Sequence, residues 1–228
     1  MTIILITLAY IVAAIFYIRI SWRLYLLSGL SGDRAPGRGI SIPLFFNALF
    51  DIVFLRRLFK LNPLLWVGEW MFHLAFIATF LGHLRYIFLK PPWFTVYLLT
   101  FSEISVHLLI GSLVYIFVYR IIFMIRVKEG FTSKYNLFLV ITIMFISVSG
   151  YLLRFVYRTD IIQVKEFVLG VLSFSPMSAP DSLLFAAHFS LAMIFISAVP
   201  THIFTAPLVG LDTHRRDAGI GALLHGKK

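Results

Sequence analysis

No cysteine occurs in the chain. Disulfides, thiolate-bound iron–sulfur clusters, zinc-thiolate sites and covalent c-type haem attachment all need cysteine sulfur and are excluded. Any redox centre in this chain must therefore hang on histidine or methionine. Charge is also scarce, at 13% of residues against about 25% in an ordinary soluble domain, and only 10 residues are acidic. That scarcity argues against a water-soluble fold. No basic segment precedes the apolar stretch Ile3 to Ile18 and no small-residue cleavage site follows it. The stretch therefore reads as a retained first helix, not a removed signal peptide.

What is present is apolar mass. Of 228 residues, 60% are hydrophobic, and the mean hydropathy is +0.93. Runs of about 20 apolar residues are long enough to cross a hydrocarbon core of about 30 Å as helices. The expected class is all-α: one polytopic membrane domain, a bundle of five spans at about residues 2–26, 66–89, 97–126, 135–156 and 182–206.

A formal net charge of +10 would suggest nucleic acid in a soluble protein, but here the basic residues report topology instead. Fifteen of the 20 fall on one side: Arg19, Arg23, Arg34, Arg38, Arg56, Arg57 and Lys60, then Arg120, Arg126, Lys128 and Lys134, then Arg215, Arg216, Lys227 and Lys228. Arg85, Lys90, Arg154, Arg158 and Lys165 fall on the other. The positive-inside rule then predicts an outer N-terminus and a cytoplasmic C-terminus in the cell's inner membrane, with no nucleic-acid partner.

Two connections are more than turns. Ser28 to Ile42 is rich in Gly, Arg, Asp and Pro and reads as a flexible cytoplasmic loop; Pro43 to Leu61 mixes apolar residues with Asp51, Arg56, Arg57 and Lys60, as an interfacial amphipathic helix does, and Asn62-Pro63 ends it. On the outside, Ile161 to Phe174 predicts a surface helix, and Asp181 or Ser182 can cap the last span. No convincing internal repeat is visible, so an inverted-repeat transporter gains no support from symmetry.

Five of the seven histidines, His73, His83, His107, His188 and His202, fall inside predicted spans, where an unpaired polar group is expensive. His73 and His83 are ten residues apart on span 2 and His188 and His202 fourteen apart on span 5, rises of about 15 and 21 Å. Because the two spans are antiparallel, depths match crosswise: His73 with His202, and His83 with His188. Tilt and a kink at Pro200 can absorb the mismatch of about 6 Å. Two facing imidazoles with a planar macrocycle between them are the ligand set of six-coordinate haem b, which favours electron transfer because no axial position stays open. Gly82, Gly111 and Gly150 offer places where backbone approaches without a Cβ. Hydrogen-bonded helix contacts, or a proton path, are the alternatives. A zinc or copper site needs ligands that converge within a few ångströms, whereas these separate into two layers.

Three segments resemble the di-haem cytochrome b (gamma) subunit of respiratory nitrate reductase and its relatives in heterodisulfide reductase and sulfite-reduction membrane complexes. They are Asp51-Ile-Val-Phe-Leu-Arg-Arg-Leu-Phe-Lys60, Trp70-Met-Phe-His73 through Phe80-Leu-Gly-His83, and His188-Phe-Ser-Leu-Ala-Met193 with Pro200-Thr-His202-Ile-Phe-Thr-Ala-Pro207. The resemblance implies that His83 and His188 ligate an outer haem iron and His73 and His202 an inner one. It also implies electron transfer between a menaquinone- or ubiquinone-type pool in the lipid and iron–sulfur subunits on the cytoplasmic face, the catalytic reductase being another polypeptide. The nitrate reductase subunit has about one helical turn more between its last-helix ligands, which shifts depth by about 5–6 Å. The long first connection also departs from it and favours the sulfur-side relatives.

A quinol site needs an apolar slot and a group that takes or hydrogen-bonds a proton. Glu103 and His107, four apart on span 3, share a face at the depth of His83 and His188. They either bind the headgroup and relay its protons, or are an interface carboxylate and a helix contact. Arg85 and Lys90 either meet a quinone oxygen or haem propionate, or anchor the span at the interface with Trp93 and Tyr97. Glu69, four before His73, is a helix-end anchor or a partner of the ligand shell. His214 and His225 lie in the basic tail, where partner docking, headgroup contact and plain solvation all stay open. The competing function class is a proton-coupled transporter whose histidines form a relay.

Overall fold

In a computed structural model, residues 1–29, 42–90, 93–127 and 134–200 are described. All regular structure among them is helical. We number the helices α1 (Thr2–Gly29), α2 (Ile42–Val53), α3 (Arg56–Leu61), α4 (Pro63–Ile87), α5 (Phe94–Val127), α6 (Lys134–Tyr151, continued by a π turn, Leu152–Val156), α7 (Ile161–Leu172) and α8 (Leu183–Pro200). Five of them, α1, α4, α5, α6 and α8, are long and apolar enough to cross a membrane. The expected multi-pass helical class is therefore observed.

The chain divides into two compact units. The first holds Met1–Val12 and Leu64–Phe195. In it, α5 buries Ser105, Leu109, Ser112, Leu113 and Ile116, a stripe repeating every three to four residues as a helix buried on one side requires. Leu109, Leu113 and Ile116 pack with Ala75 of α4 and with Val140 and Ile143 of α6. A second cluster joins Leu5 of α1, Phe167 of α7, Ala179 and Phe185 of α8. Phe167 is fully buried, with its ring edge-on to Phe185 and Phe189.

The predicted surface helix is α7, started by Asp160, whose Oδ1 accepts from the Ile162 amide at 2.8 Å. Ser182, not Asp181, starts α8: its Oγ accepts from the Phe185 amide at 3.2 Å. After α7 the chain turns through Phe174, at φ 56°, whose ring stacks on Tyr10. The returning strand of chain lies against Gly170, where a Cβ would come within 2.7 Å of the Ser175 carbonyl and 2.8 Å of the Met177 amide. Both are backbone atoms and cannot swing aside. Gly170→Ala is expected to destabilise this unit by about 1–3 kcal/mol, the usual cost of overpacking, read as a lower denaturation midpoint in detergent.

The second unit comprises 13–63 and 196–228, of which 30–41 and 201–228 lie outside the described residues. Those ranges include most of the loop from Ser28 to Ile42, the tail, and His202, His214 and His225. Arg19 Nη1 donates to the Ser197 carbonyl at 2.5 Å. Tyr17, Trp22 and Tyr25 are exposed along one end of α1, the amphipathic aromatic set that suits a membrane–water boundary. The amphipathic segment is two helices, not the single one expected over Pro43 to Leu61. Leu55 adopts φ 48° and breaks it, and Asp51 draws Arg56 and Arg57 to 4.0 and 3.7 Å across the break. On α2, Ile42, Phe46, Leu49, Phe50 and Val53 form an exposed apolar stripe, the face an interfacial helix lays into lipid.

Candidate functional site

Histidine on a helix can satisfy one ring nitrogen locally by turning Nδ1 onto the carbonyl four residues earlier. Three of the predicted intramembrane histidines do so. His73 Nδ1 lies 2.6 Å from the Glu69 carbonyl, His83 Nδ1 2.8 Å from that of Thr79, and His107 Nδ1 2.8 Å from that of Glu103. A carbonyl only accepts, so Nδ1 carries the proton and Nε2 keeps its lone pair. That tautomer and orientation are those of a metal-ligating imidazole, whose second nitrogen is fixed by a backbone oxygen.

His188 is held by a neighbouring helix. Its Nδ1 is 3.0 Å from Ser149 Oγ on α6, and the Ser149 hydroxyl itself lies 2.7 Å from the Phe145 carbonyl and 3.0 Å from that of Ile146. Oγ accepts from Nδ1 when the hydroxyl proton goes to one of these carbonyls, and donates to Nδ1 in the other tautomer. The ring fits because the next residue is glycine: a Cβ on Gly150 would stand 3.0 Å from His188 Cε1. Gly150 was expected to admit a close approach, and what it admits is the His188 ring. Gly82 is buried, whereas a Cβ at Gly111 would meet nothing within 4 Å.

His83 and His188 both belong to the first unit. His83 is exposed, with Tyr86 at 6.0 Å between ring centroids. The Arg85 guanidinium sits over that Tyr86 ring at 4.6 Å and donates to its hydroxyl, while its buried Nε has no partner among the described residues. Lys90 is exposed. His73 stands edge-on to Phe72 and is partly buried, and its predicted partner His202 lies outside the described residues.

Glu103 and His107 do share one face of α5, and both meet the end of α6. Arg154, in the π turn, holds the Glu103 carboxylate at 2.6 Å. Tyr151 and Phe155 lie against the His107 ring, at 5.2 and 5.4 Å between centroids. Single π turns inside helices recur at functional sites. The segment from Ser149 to Phe155 therefore touches His188, His107 and Glu103 in turn, placing all three at one end of this unit.

At the opposite ends of α4 and α5, the Glu69 carboxylate accepts from Arg120 at 2.5 Å. This pair is part-buried, with side chains 13% and 16% exposed. Tyr115 donates to the Leu64 carbonyl nearby at 3.0 Å, and its ring occupies the space a Cβ on Gly68 would need. Ser149, Arg154 and Arg120 were not singled out from the sequence. Ser149 adjoins a flagged glycine and carries no motif of its own, but the arginines had a signal: Glu-x-x-x-His stands at Glu69 and again at Glu103. Comparisons with protein-family models, with curated proteins and with solved structures each find no match.

Proposed function

We propose that the chain is a membrane di-haem b subunit that carries electrons between a lipid-borne quinone or quinol and iron–sulfur subunits on the cytoplasmic side. The observation that supports it best is the orientation of the histidines: His73 and His83 on α4 each turn Nδ1 onto a carbonyl of their own helix, which leaves Nε2 of the neutral ring for iron, and His188 on α8 is positioned through Nδ1 by Ser149 of α6. His83 with His188 would hold the outer haem, and His73 with His202 the inner. When bound, such a group would supply one-electron transfer.

The protein's own share is positional. Thr79 and Glu69 aim two ligands through their carbonyls, Ser149 aims a third, and Gly150 leaves it room. His107, with its free Nε2 beside Tyr151 and Phe155, binds the hydroxyl of a flat aromatic headgroup arriving from lipid, and Glu103 hands its proton to water at the outer surface. The basic excess of the first connection, the α5–α6 loop and the tail sets the termini, N outside and C in the cytoplasm of the inner membrane. With no cysteine, the cluster that receives the electrons belongs to another polypeptide.

The test is a dithionite-reduced-minus-oxidised spectrum of the purified chain with pyridine haemochrome quantification. About two b haems per chain, both low-spin, is the expected result for two bis-histidine sites. A chain free of haem when produced with its partner subunits overturns the reading and returns the histidines to the proton-relay class.

A further inference from the structure

Glu103, His107 and Arg154 each stand 34 positions after Glu69, His73 and Arg120. In both sets the histidine turns Nδ1 onto the carbonyl of its glutamate. In both, the carboxylate is bound by an arginine 51 residues later, near the end of the following spanning helix. The chain thus carries one three-residue station twice, with α5 contributing the arginine to the first and the glutamate and histidine to the second. Because α4, α5 and α6 alternate in direction, the copies sit at opposite ends of the helices.

The copies differ in what surrounds them. In the first, the Glu69 and Arg120 side chains are only 13% and 16% exposed, and Phe117 and Ile121 occupy the positions that correspond to Tyr151 and Phe155. The second is open: the Glu103 and Arg154 side chains are 46% and 39% exposed, and two aromatic rings flank the imidazole. A shielded pair cannot trade partners without stranding a charge. A half-exposed carboxylate can turn to water and release its guanidinium at little cost.

Resting on the headgroup site read above at His107, we propose that Arg154 is its specificity residue: it exchanges Glu103 for the oxygen anion of a hydroxylated aromatic ring that the Tyr151 and Phe155 rings hold beside His107. The guanidinium fork suits a ring oxygen beside a carbonyl, where two parallel N–H donors find two acceptors. The ligand class is then a lipid-soluble quinone with an ionisable ring hydroxyl, favoured over the same ring without one.

The full chain in phosphatidylcholine nanodiscs, measured against protein-free discs, can be titrated with a 2-hydroxy-3-alkyl-1,4-naphthoquinone, anionic at neutral pH, and with the matching hydroxyl-free naphthoquinone. Arg154→Gln is expected to weaken the anionic ligand about ten-fold or more, the scale of one charged hydrogen-bonded contact, and the neutral one less than about two-fold. Arg154→Lys, which keeps the charge, restores most of the anionic binding, and Lys90→Gln, at the same end, leaves both ligands bound. Equal loss of both ligands in Arg154→Gln, no loss of either, or transfer of the effect to Lys90→Gln overturns the inference while the headgroup site stands. If the unaltered chain binds neither ligand, this inference falls; if it also fails to bind the matching reduced naphthoquinol, whose hydroxyl is the donor His107 would accept from, the headgroup reading falls with it.

Discussion

His83→Ala is expected to halve the haem b content of the purified chain, and His188→Ala to remove the same half. Each histidine offers one Nε2, and a bis-histidine iron that loses one axial ligand in a lipid-facing slot keeps a single bond to protein. The two single variants and their combination should therefore give one spectrum, about one haem per chain, because both act on one site. Retention of two haems in either variant, or loss of different haems in the two, would sink the pairing. Ser149→Ala separates ligation from orientation. It leaves the iron its ligand but takes the acceptor from Nδ1, so the imidazole is less basic and the ferric state less favoured. The haem count should stay at about two, and the midpoint potential of that haem alone should rise.

Breaking the Glu69–Arg120 pair should unfold the bundle more readily than any surface change. Both side chains are largely shielded, at 13% and 16% exposure, and removal of one partner leaves the other charged where water reaches it only in part, a cost below the about 3–5 kcal/mol of a fully buried pair. Arg120 is the harder case, since its Nε already lacks a partner among the described residues. Glu69→Gln and Arg120→Gln should each lower the denaturation midpoint in mild detergent sharply. The double variant should recover part of the loss, because two neutral amides no longer strand a charge. A double variant as unstable as the sum of the singles would show that the two groups do not act on each other. The exposed counterpart, Glu103–Arg154, gives the contrast: screening by water and headgroups makes its loss a minor stability event.

The sequence made the spans legible because hydropathy reports the one requirement lipid imposes on all of them. It also made α7 legible, since Asp160 and the breaker run from Ser175 to Asp181 bracket an apolar segment. Leu55 was not legible: leucine disfavours the left-handed region it occupies at φ 48°, so its sequence signature continues the helix that the backbone breaks. Within the site, His83 and His188 could be proposed as partners by counting turns from each end. Ser149 could not, because a serine on an apolar helix has the same sequence signature whether it bonds its own backbone or another helix's imidazole. The repeated station escaped notice because antiparallel helices display it at opposite membrane faces, and three matched positions among changing apolar residues make no visible repeat.

The buried hydroxyls have a consequence for how the protein enters the bilayer. Ser105, Thr142, Ser147 and Ser149 turn Oγ onto the carbonyl four residues before, and Ser112 onto the one three before. Each is satisfied by its own helix, as are Nδ1 of His73, His83 and His107. A segment leaving the insertion machinery alone therefore strands few polar groups in hydrocarbon, and α5 and α6 can find each other afterwards by shape. Two groups look beyond their own helix: His188, whose Nδ1 meets Ser149 of α6, a helix already made, and the shielded Glu69 carboxylate, whose arginine lies on the helix made next. Glu69 must wait at the membrane until α5 has been synthesised to Arg120, so the closing of that link follows chain order.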